Sequence, residues 1–402
     1  MAREMKDSGI AWIGTIPKEW DTVKFKYLHN GLNTGESIDK DFWTSEENGT
    51  VFYTAGLTPI RTSYKEFPTW KYTRSNDILL ARNGTPYVYF PVEQACYSDH
   101  IIRAAMKDGI NRRFVQYCLQ QSIASVVVDT VSIATWSASL WNEQTIPWPS
   151  ESEQQRIVTY LDAECARIDA VMEQTRVSIE EYKKLKQAVI TQAVTKGIRP
   201  NRPMKDSGVD WIGDIANDFQ VMKLKYVCDI LDQFRSPITA DQRNQDAEIL
   251  YDYYGASGAI DKIDGYTIDD HVMLIGEDGA NLRMRNLPLM YEVNGKAWIN
   301  NHAHILKPKN NIQFYYLFFA LEALDINPYI TGSAQPKLSQ ENLKNIFVPV
   351  PSYDEQVEIV NYLQIKIKEI DALKKQKEIF LNEMESYKKS VIYEYVTGKK
   401  EI

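Results

Sequence analysis

Two stretches of the chain carry apolar residues at alternating steps of three and four, and two longer stretches carry short apolar runs broken by turn residues. In residues 151–199 the stripe is Ile157, Leu161, Ile168, Val171, Tyr182, Leu185 and Val189. In residues 352–402 it is Ile359, Leu363, Ile370, Leu373, Phe380, Met384, Tyr387 and Val391. A period near 3.5 is that of a coiled-coil seam, so each stretch predicts one long amphipathic helix. A start signal precedes both: Pro-x-Pro, then Ser150 or Ser152 before Glu153, and Ser352 before Glu355. The register is imperfect, since Glu164, Thr175 and Lys377 fall on the expected seam. Ordinary core packing would also give such stripes, but two long copies favour a pair of helices packed on each other. About 35 to 40 residues at about 1.5 Å each make a rod of roughly 50 to 60 Å. An antiparallel pair of such rods would set the two remaining stretches at opposite ends.

Those stretches, about 22–148 and 221–350, read as strand, turn, strand. Asp77-Ile78-Leu79-Leu80 leads into Arg82-Asn83-Gly84, and His271-Val272-Met273-Leu274-Ile275 leads into Glu277-Asp278-Gly279. Arg113 to Ser122 and Gln313 to Leu324 have the apolar spacing of short helices. The fold class expected is α+β.

The chain also repeats itself. Met5-Lys6-Asp7-Ser8-Gly9-Ile10-Ala11-Trp12-Ile13-Gly14 returns as Met204-Lys205-Asp206-Ser207-Gly208-Val209-Asp210-Trp211-Ile212-Gly213, and Lys24-Phe25-Lys26-Tyr27 as Lys223-Leu224-Lys225-Tyr226. Pro147-Trp148-Pro149 with Glu153-Gln154 matches Pro349-Val350-Pro351 with Glu355-Gln356. Between these ends only weak echoes remain: Asp77 to Gly84 against Val272 to Gly279, and Ser98-Asp99-His100 against Asn300-Asn301-His302. Shared flanks around a divergent middle are the pattern expected if the flanks serve assembly and the middle serves choice.

Composition narrows the class. A length of 402 residues suits two domains, and 44% apolar with 25% charged residues is ordinary for a globular protein. The first residues lack the apolar core of a secretory signal, and no apolar run approaches the roughly 20 residues that span a bilayer, so a cytoplasmic protein is expected. Cys96, Cys118, Cys165 and Cys228 stand apart, without the close pairing of zinc or redox motifs. A net charge of -8 argues against a surface that binds nucleic acid everywhere, leaving a local site or a basic partner that supplies phosphate contacts.

The search for catalytic motifs is negative for a phosphate loop, His-Glu-x-x-His and a serine elbow. No Pro-Pro exists to complete the target-amine grip of a DNA amino-methyltransferase, and Asn327-Pro328-Tyr329 reads as a turn. His302 and His304 share a strand face but lack an evident third ligand, which favours a structural role over a metal. What remains are turn residues able to read base edges or grip phosphates: Arg74, Arg82, Asn83 and Tyr87 in the first half, and Arg283, Arg285, Gln335 and Lys337 in the second. Arg pairs bidentately with guanine and Asn or Gln with adenine. For each, the competing reading is a solvated surface residue.

Together these features resemble the specificity subunit of type I restriction-modification systems over nearly the whole chain. The most specific parts are Lys-Asp-Ser-Gly-x-x-Trp-Ile-Gly in both copies and the run from Gly332-Ser333-Ala334-Gln335-Pro336-Lys337-Leu338 to Leu343. The resemblance implies two tandem target recognition domains, 1–150 and 200–351, separated by two long antiparallel coiled-coil helices, 151–199 and 352–402, in a pseudo-twofold internal repeat. It implies a non-catalytic chain without a cofactor of its own. Its partners would be double-stranded DNA with a bipartite site, two methyltransferase subunits, and restriction or translocase subunits, with S-adenosylmethionine, ATP and Mg in those partners and no membrane involved. The first half departs from the pattern, having Val131-Ser132-Ile133-Ala134-Thr135-Trp136 in place of Gly-Ser-x-Gln-Pro-Lys-Leu. Two other classes stay open: a coiled-coil scaffold that binds only proteins, and an enzyme with an unfamiliar site.

Overall fold

The computed structural model describes residues 3–83, 86–124, 135–210, 212–239, 241, 243 and 248–402. Gly84, Trp211 and the divergent residues Val131 to Ala134 therefore lie outside the described residues. Contacts divide the chain into two compact units, one made of the residues up to Arg176 with Ile379–Ile402 and the other of Val177–Glu378. The division cuts across both long helices, Glu151–Lys196 and Tyr353–Val396, instead of setting them apart as segments of their own.

In the first unit the strands Met5–Asp7 and Thr15–Pro17 pair antiparallel around a tight loop. The loop explains why this motif returns in the second half with so little change. Gly9 and Gly14 have φ of +70° and +67°, a region only glycine enters freely. The Ser8 hydroxyl donates to the Gly14 carbonyl at 2.5 Å, and Trp12 Nε1 donates to the Thr145 carbonyl at 3.0 Å. Asp21–Lys24 then pairs with Thr145–Trp148, so the first and last strands of the half close on each other. Between them, His29–Thr34, Ile101–Met106, Asp77–Ala81 and Val88–Tyr89 form an antiparallel sheet in that order. A second four-stranded sheet runs Cys96–Tyr97, Thr50–Tyr53, Ile60–Thr62, Trp43–Thr44. Every residue of Asp77–Ala81 is buried, and from Ile78 on the strand is a continuous apolar run, as in a strand covered on both faces.

The second unit repeats the frame with a different sheet. Met204–Asp206 pairs with Asp214–Ala216, and Gln220–Lys223 with Phe347–Val350. One six-stranded sheet takes the order Cys228–Ile230, Ala303–Pro308, Ile268–Gly276, Met290–Ile299, Tyr251–Gly255, Gly258–Ile263. A parallel contact recurs in both halves, Cys96 opposite Phe52 and Tyr253 opposite Trp298.

The long helices pack antiparallel within each unit. Lys388 meets Asp169 at 2.6 Å in the first, and Lys186 meets Asp371 at 2.8 Å in the second. The seam differs in register from the expected one. Leu161, Cys165, Ile168, Met172, Thr175 and Ile179 are buried, a strict four-three alternation. Ile157, Leu161, Ile168, Ile359, Leu363, Ile370 and Val391 are buried as expected, and Val171, Tyr182, Val189 and Met384 are half-buried. Leu185 (47% exposed), Leu373 (45%), Phe380 (37%) and Tyr387 (47%) instead face outward. Their seam neighbours are Lys186, Lys374, Leu381 and Lys388, all half-buried. Lysine stems can cover apolar surface while their ammonium groups reach water, so the seam runs through positions that look polar in the sequence.

At the end of the second long helix, Lys399 Nζ donates to the Ile13 carbonyl at 2.6 Å and Tyr393 OH to the same carbonyl at 3.2 Å. The first unit is thereby closed by contact where the second is closed by continuous chain.

Candidate nucleic-acid interface

The strand Asp77–Ala81 pairs with Ile101–Met106 up to Ala81 opposite Ile101. Beyond that point the backbone continues the ladder irregularly. The Arg82 amide donates to the His100 carbonyl at 2.8 Å, the Trp136 amide donates to the Arg82 carbonyl at 2.6 Å, and Asn83 bridges to Thr135. Three chain segments thus meet at one sheet end. On it, Asn83 Nδ2 lies 2.7 Å from His100 Nδ1, and the Arg82 guanidinium donates to the Asp99 carbonyl at 3.2 Å. Below lie Trp136 and Trp141, both buried, with Trp141 Nε1 donating to the Ala81 carbonyl at 3.0 Å. Ser137 caps the short helix that follows by accepting from the Leu140 amide.

The second half builds the same end. Gly276 lies opposite Ala303, the Glu277 amide donates to the His302 carbonyl at 2.8 Å, the Leu338 amide to the Glu277 carbonyl at 2.8 Å, and Asp278 bridges to Lys337. His302 Nδ1 lies 2.7 Å from Asp278 Oδ2. Arg235 donates to the Asn301 carbonyl at 3.2 Å, as Arg82 does to Asp99. Ser339 caps the following helix by accepting from the Asn342 amide.

Below this end the chemistry changes. His304 is fully buried, with Nδ1 2.7 Å from Asp232 Oδ2 and Nε2 2.8 Å from the Leu338 carbonyl. Both neighbours of the ring are hydrogen-bond acceptors. Gln340 donates to Asp232 at 2.9 Å, Arg235 to Glu277 at 2.5 Å, and Lys337 lies 3.1 Å from Glu277. Burial alone would push the Asp232 carboxyl up, but the hydrogen bond and charge of His304 hold it below the usual range. At Glu277 burial is likewise outweighed, by Arg235 and Lys337, and its carboxyl is also held low.

Thr331 and Lys337 exchange backbone bonds at 2.9 and 2.8 Å, closing a small loop. Gly332 at its start has φ of +77°, and a Cβ there would stand 2.3 Å from the Gln335 carbonyl oxygen, so the turn requires glycine. Gln335 and Lys337, with Asp278, Gly279, Ala280 and His302, line an open pocket of about 410 Å³. Arg283 borders the loop, donating to the Gly332 carbonyl at 3.2 Å.

Of the residues chosen from the sequence, Arg82 and Asn83 come together in the first half, and Arg283, Gln335 and Lys337 in the second. Arg74 stands at the other end of its strand, where its backbone amide donates to Asp77. Tyr87 packs against Tyr89 at 4.7 Å between ring centres, beside a groove that also holds Arg113 and Tyr117. Arg285 stands apart from the loop closed by Thr331 and Lys337. Its half-buried guanidinium donates to the Glu322 and Leu324 carbonyls at 2.7 and 2.6 Å, satisfying the end of the helix Phe314–Ala323. The structure also places His100, Asp278, His302 and Arg235 at these two sheet ends, residues not chosen from the sequence. The weak echo of Ser98-Asp99-His100 in Asn300-Asn301-His302 was the signal for the histidines. Among the described residues no group of three ligands could hold a metal, and no helix is long and apolar enough to cross a membrane.

Two copies of one divergent loop platform, each carried on a shared frame, define a class of internally repeated α+β protein. The chain matches the family described as "Type I restriction modification DNA specificity domain" at residues 17–181 and again at 216–383, and it belongs to that non-catalytic family. It is 31% identical over 140 residues to a putative type I restriction enzyme specificity subunit of Haemophilus influenzae, an alignment covering 35% of each chain. It is 23% identical to the type I restriction enzyme MjaVIII specificity subunit of Methanocaldococcus jannaschii, over 96% of this chain and 93% of that one. A chain in a solved structure concerned with complex assembly and conformational transition of a type I restriction-modification system has the same fold. Its TM-score is 0.69 at 15% identity, covering 96% of this chain and 99% of that chain.

Proposed function

We propose that each half reads one part of a split double-stranded DNA site through its loop platform, and that the helix pair fixes the distance between the two parts. The observation that carries this reading is the twofold recurrence of the platform. The backbone bonds at Arg82, His100 and Trp136 recur at Glu277, His302 and Leu338, while the side chains displayed on them differ. A frame kept while its display diverges is what two independent half-site readers need. Arg82 and Asn83 in one half, and Arg283, Gln335 and Lys337 in the other, are the display residues.

The helices carry the assembly role. Leu185, Leu373, Phe380 and Tyr387 leave apolar side chains outward on them, and methyltransferase subunits, two in the complete assembly, dock there. Restriction or translocase subunits join those. S-adenosylmethionine, ATP and Mg belong to the partners, which also share the phosphate contacts that a chain of net charge -8 cannot supply alone. The complex acts on cytoplasmic DNA. The helices Glu151–Lys196 and Tyr353–Val396 have 46 and 44 residues, roughly 65 to 70 Å at about 1.5 Å per residue, which suits a spacer.

The test is methylation mapping of genomic DNA from cells expressing the chain with its neighbouring methyltransferase, against cells lacking the chain. A gapped, adenine-methylated motif that disappears without the chain is the expected result. An assembled, active complex with no chain-dependent motif would favour a protein-only scaffold.

A further inference from the structure

The two platforms hold one matched pair of side chains with different chemistry. Asn83 faces His100 and Asp278 faces His302, each at 2.7 Å through histidine Nδ1, and each acid or amide sits at the position that bridges to the following loop. The histidines are half-exposed, so neither pair is buried in core, and Asp278 and His302 line the open pocket beside Gln335 and Lys337.

We propose that this histidine-braced position is a base-reading position in each half, and that the exchange of amide for carboxylate makes the halves prefer different bases. The inference rests on the DNA-reading function proposed above. The physical argument is one of hydrogen-bond inventory. An amide that gives one hydrogen to His100 keeps an oxygen acceptor and a second N–H donor, the complement of adenine N6 and N7. A carboxylate that accepts from His302 keeps only acceptors, which suit the N4 amino group of cytosine and repel the O6 and N7 acceptors of guanine. The histidine fixes the side chain's rotamer before DNA arrives, so less freedom is lost on binding. Around Asp278, the charges of Lys337 and Arg235 are engaged with Glu277, leaving the Asp278 carboxylate as the acidic group turned to the pocket.

The experiment uses the full chain assembled with its methyltransferase, methylating duplex libraries randomised in each half-site, for the wild type, Asn83→Asp and Asp278→Asn. Both exchanges are nearly isosteric, and co-purification confirms assembly before each measurement. The expected result is a change of preferred base at one position, on the order of 10- to 100-fold. Asn83→Asp should alter only the half-site read by the first unit, and Asp278→Asn only the other. Unchanged preferences in both variants would overturn the inference, as would a uniform loss of methylation at all sequences, which a merely structural brace predicts. Should one variant fail to assemble, the other decides alone by the same criterion; should both fail, the pair is structural and the inference falls. A wild-type complex that selects no gapped sequence would instead overturn the underlying function.

Discussion

The floors under the two platforms solve one structural problem with opposite chemistry. In the first half Ile102, Trp136 and Trp141 are buried beneath the loops. In the second, His304 stands where Ile102 stands in the first, and is tied to Asp232, Leu338 and the Glu277–Arg235 pair. The backbone above is held alike in both. What the difference teaches is that the platform's geometry is carried by its main-chain bonds and capped helices, so the floor is free to change as a block. An apolar floor can be altered one side chain at a time, at the cost of a cavity. A charged floor cannot, because each member neutralises another.

That contrast makes its largest prediction at His304. Replacing it with Leu leaves the Asp232 carboxylate buried without its main partner, which should cost about 3 to 5 kcal/mol. Replacing both, with Asp232→Leu and His304→Leu together, should cost clearly less than the two single changes added, because no lone charge remains. Denaturant unfolding of the four proteins gives the cycle. A double mutant equal to the sum would mean that the two residues act independently, and the block argument would be wrong.

A smaller effect is expected on the apolar side. Trp141→Phe keeps the ring packing but removes the 3.0 Å bond from Nε1 to the Ala81 carbonyl, leaving that acceptor buried without its side-chain donor. The expected cost is about 1 to 3 kcal/mol, with no change in its size between pH 7 and 5, since no charge is involved. A pH-dependent cost would place an ionisable group in this floor and break the comparison.

Acid should separate the halves further. Asp232 and Glu277 are held below the ordinary carboxylate range. As pH falls, the unfolded chain binds protons before they do, so their stabilisation is full above about pH 4 and is lost as pH drops through their lowered values. Asp77, in the first half, is pushed up by burial, which outweighs the amide of Arg74 and the charge of Arg103. Its sign is reversed: the folded form gains a proton first, and stability grows as pH falls through the raised value. Glu322 is also pushed up by burial, so the readout must be local. Amide exchange corrected for intrinsic rate should quicken at Ile305 and Leu338 below about pH 4, whereas the strand Asp77–Ala81 should gain its protection earlier, as pH falls through the raised value of Asp77 toward about pH 4. Parallel behaviour of the two segments would show that the two floors titrate alike.

The sequence exposed the large features for physical reasons and hid the small ones for physical reasons too. The repeat was legible because Gly9, Gly14, Gly208 and Gly213 all need positive φ, a demand that few substitutions meet. The helices were legible from period alone. The charged floor was hidden because Asp232, Glu277 and His304 come from three separated segments and meet only through sheet pairing. The bonds of Arg285 were hidden for a related reason: the carbonyl it reaches belongs to a helix 37 residues away. The matched histidines were half visible, as an echo between copies without a partner to give it meaning.

The smallest effect expected lies where the two units should not differ. A seam of period 3.5 can step three then four or four then three, and the second long helix offers apolar residues for the wrong choice at Leu373, Phe380 and Tyr387. The structure turns them outward and puts lysine stems at two of the three neighbouring positions. Tyr387→Ser, in the first unit, and Leu373→Ser, in the second, should therefore each change stability by no more than about 0.5 kcal/mol, as exposed positions do. Ile168→Ala, on the true seam, should cost about 2 to 5 kcal/mol. Thermal or denaturant unfolding of the three variants ranks them directly. If the two serine variants were as costly as Ile168→Ala, the apolar reading of the sequence would be restored. If they are silent in the free chain yet weaken co-purification of the methyltransferase, the outward residues serve the partner, and in both units alike.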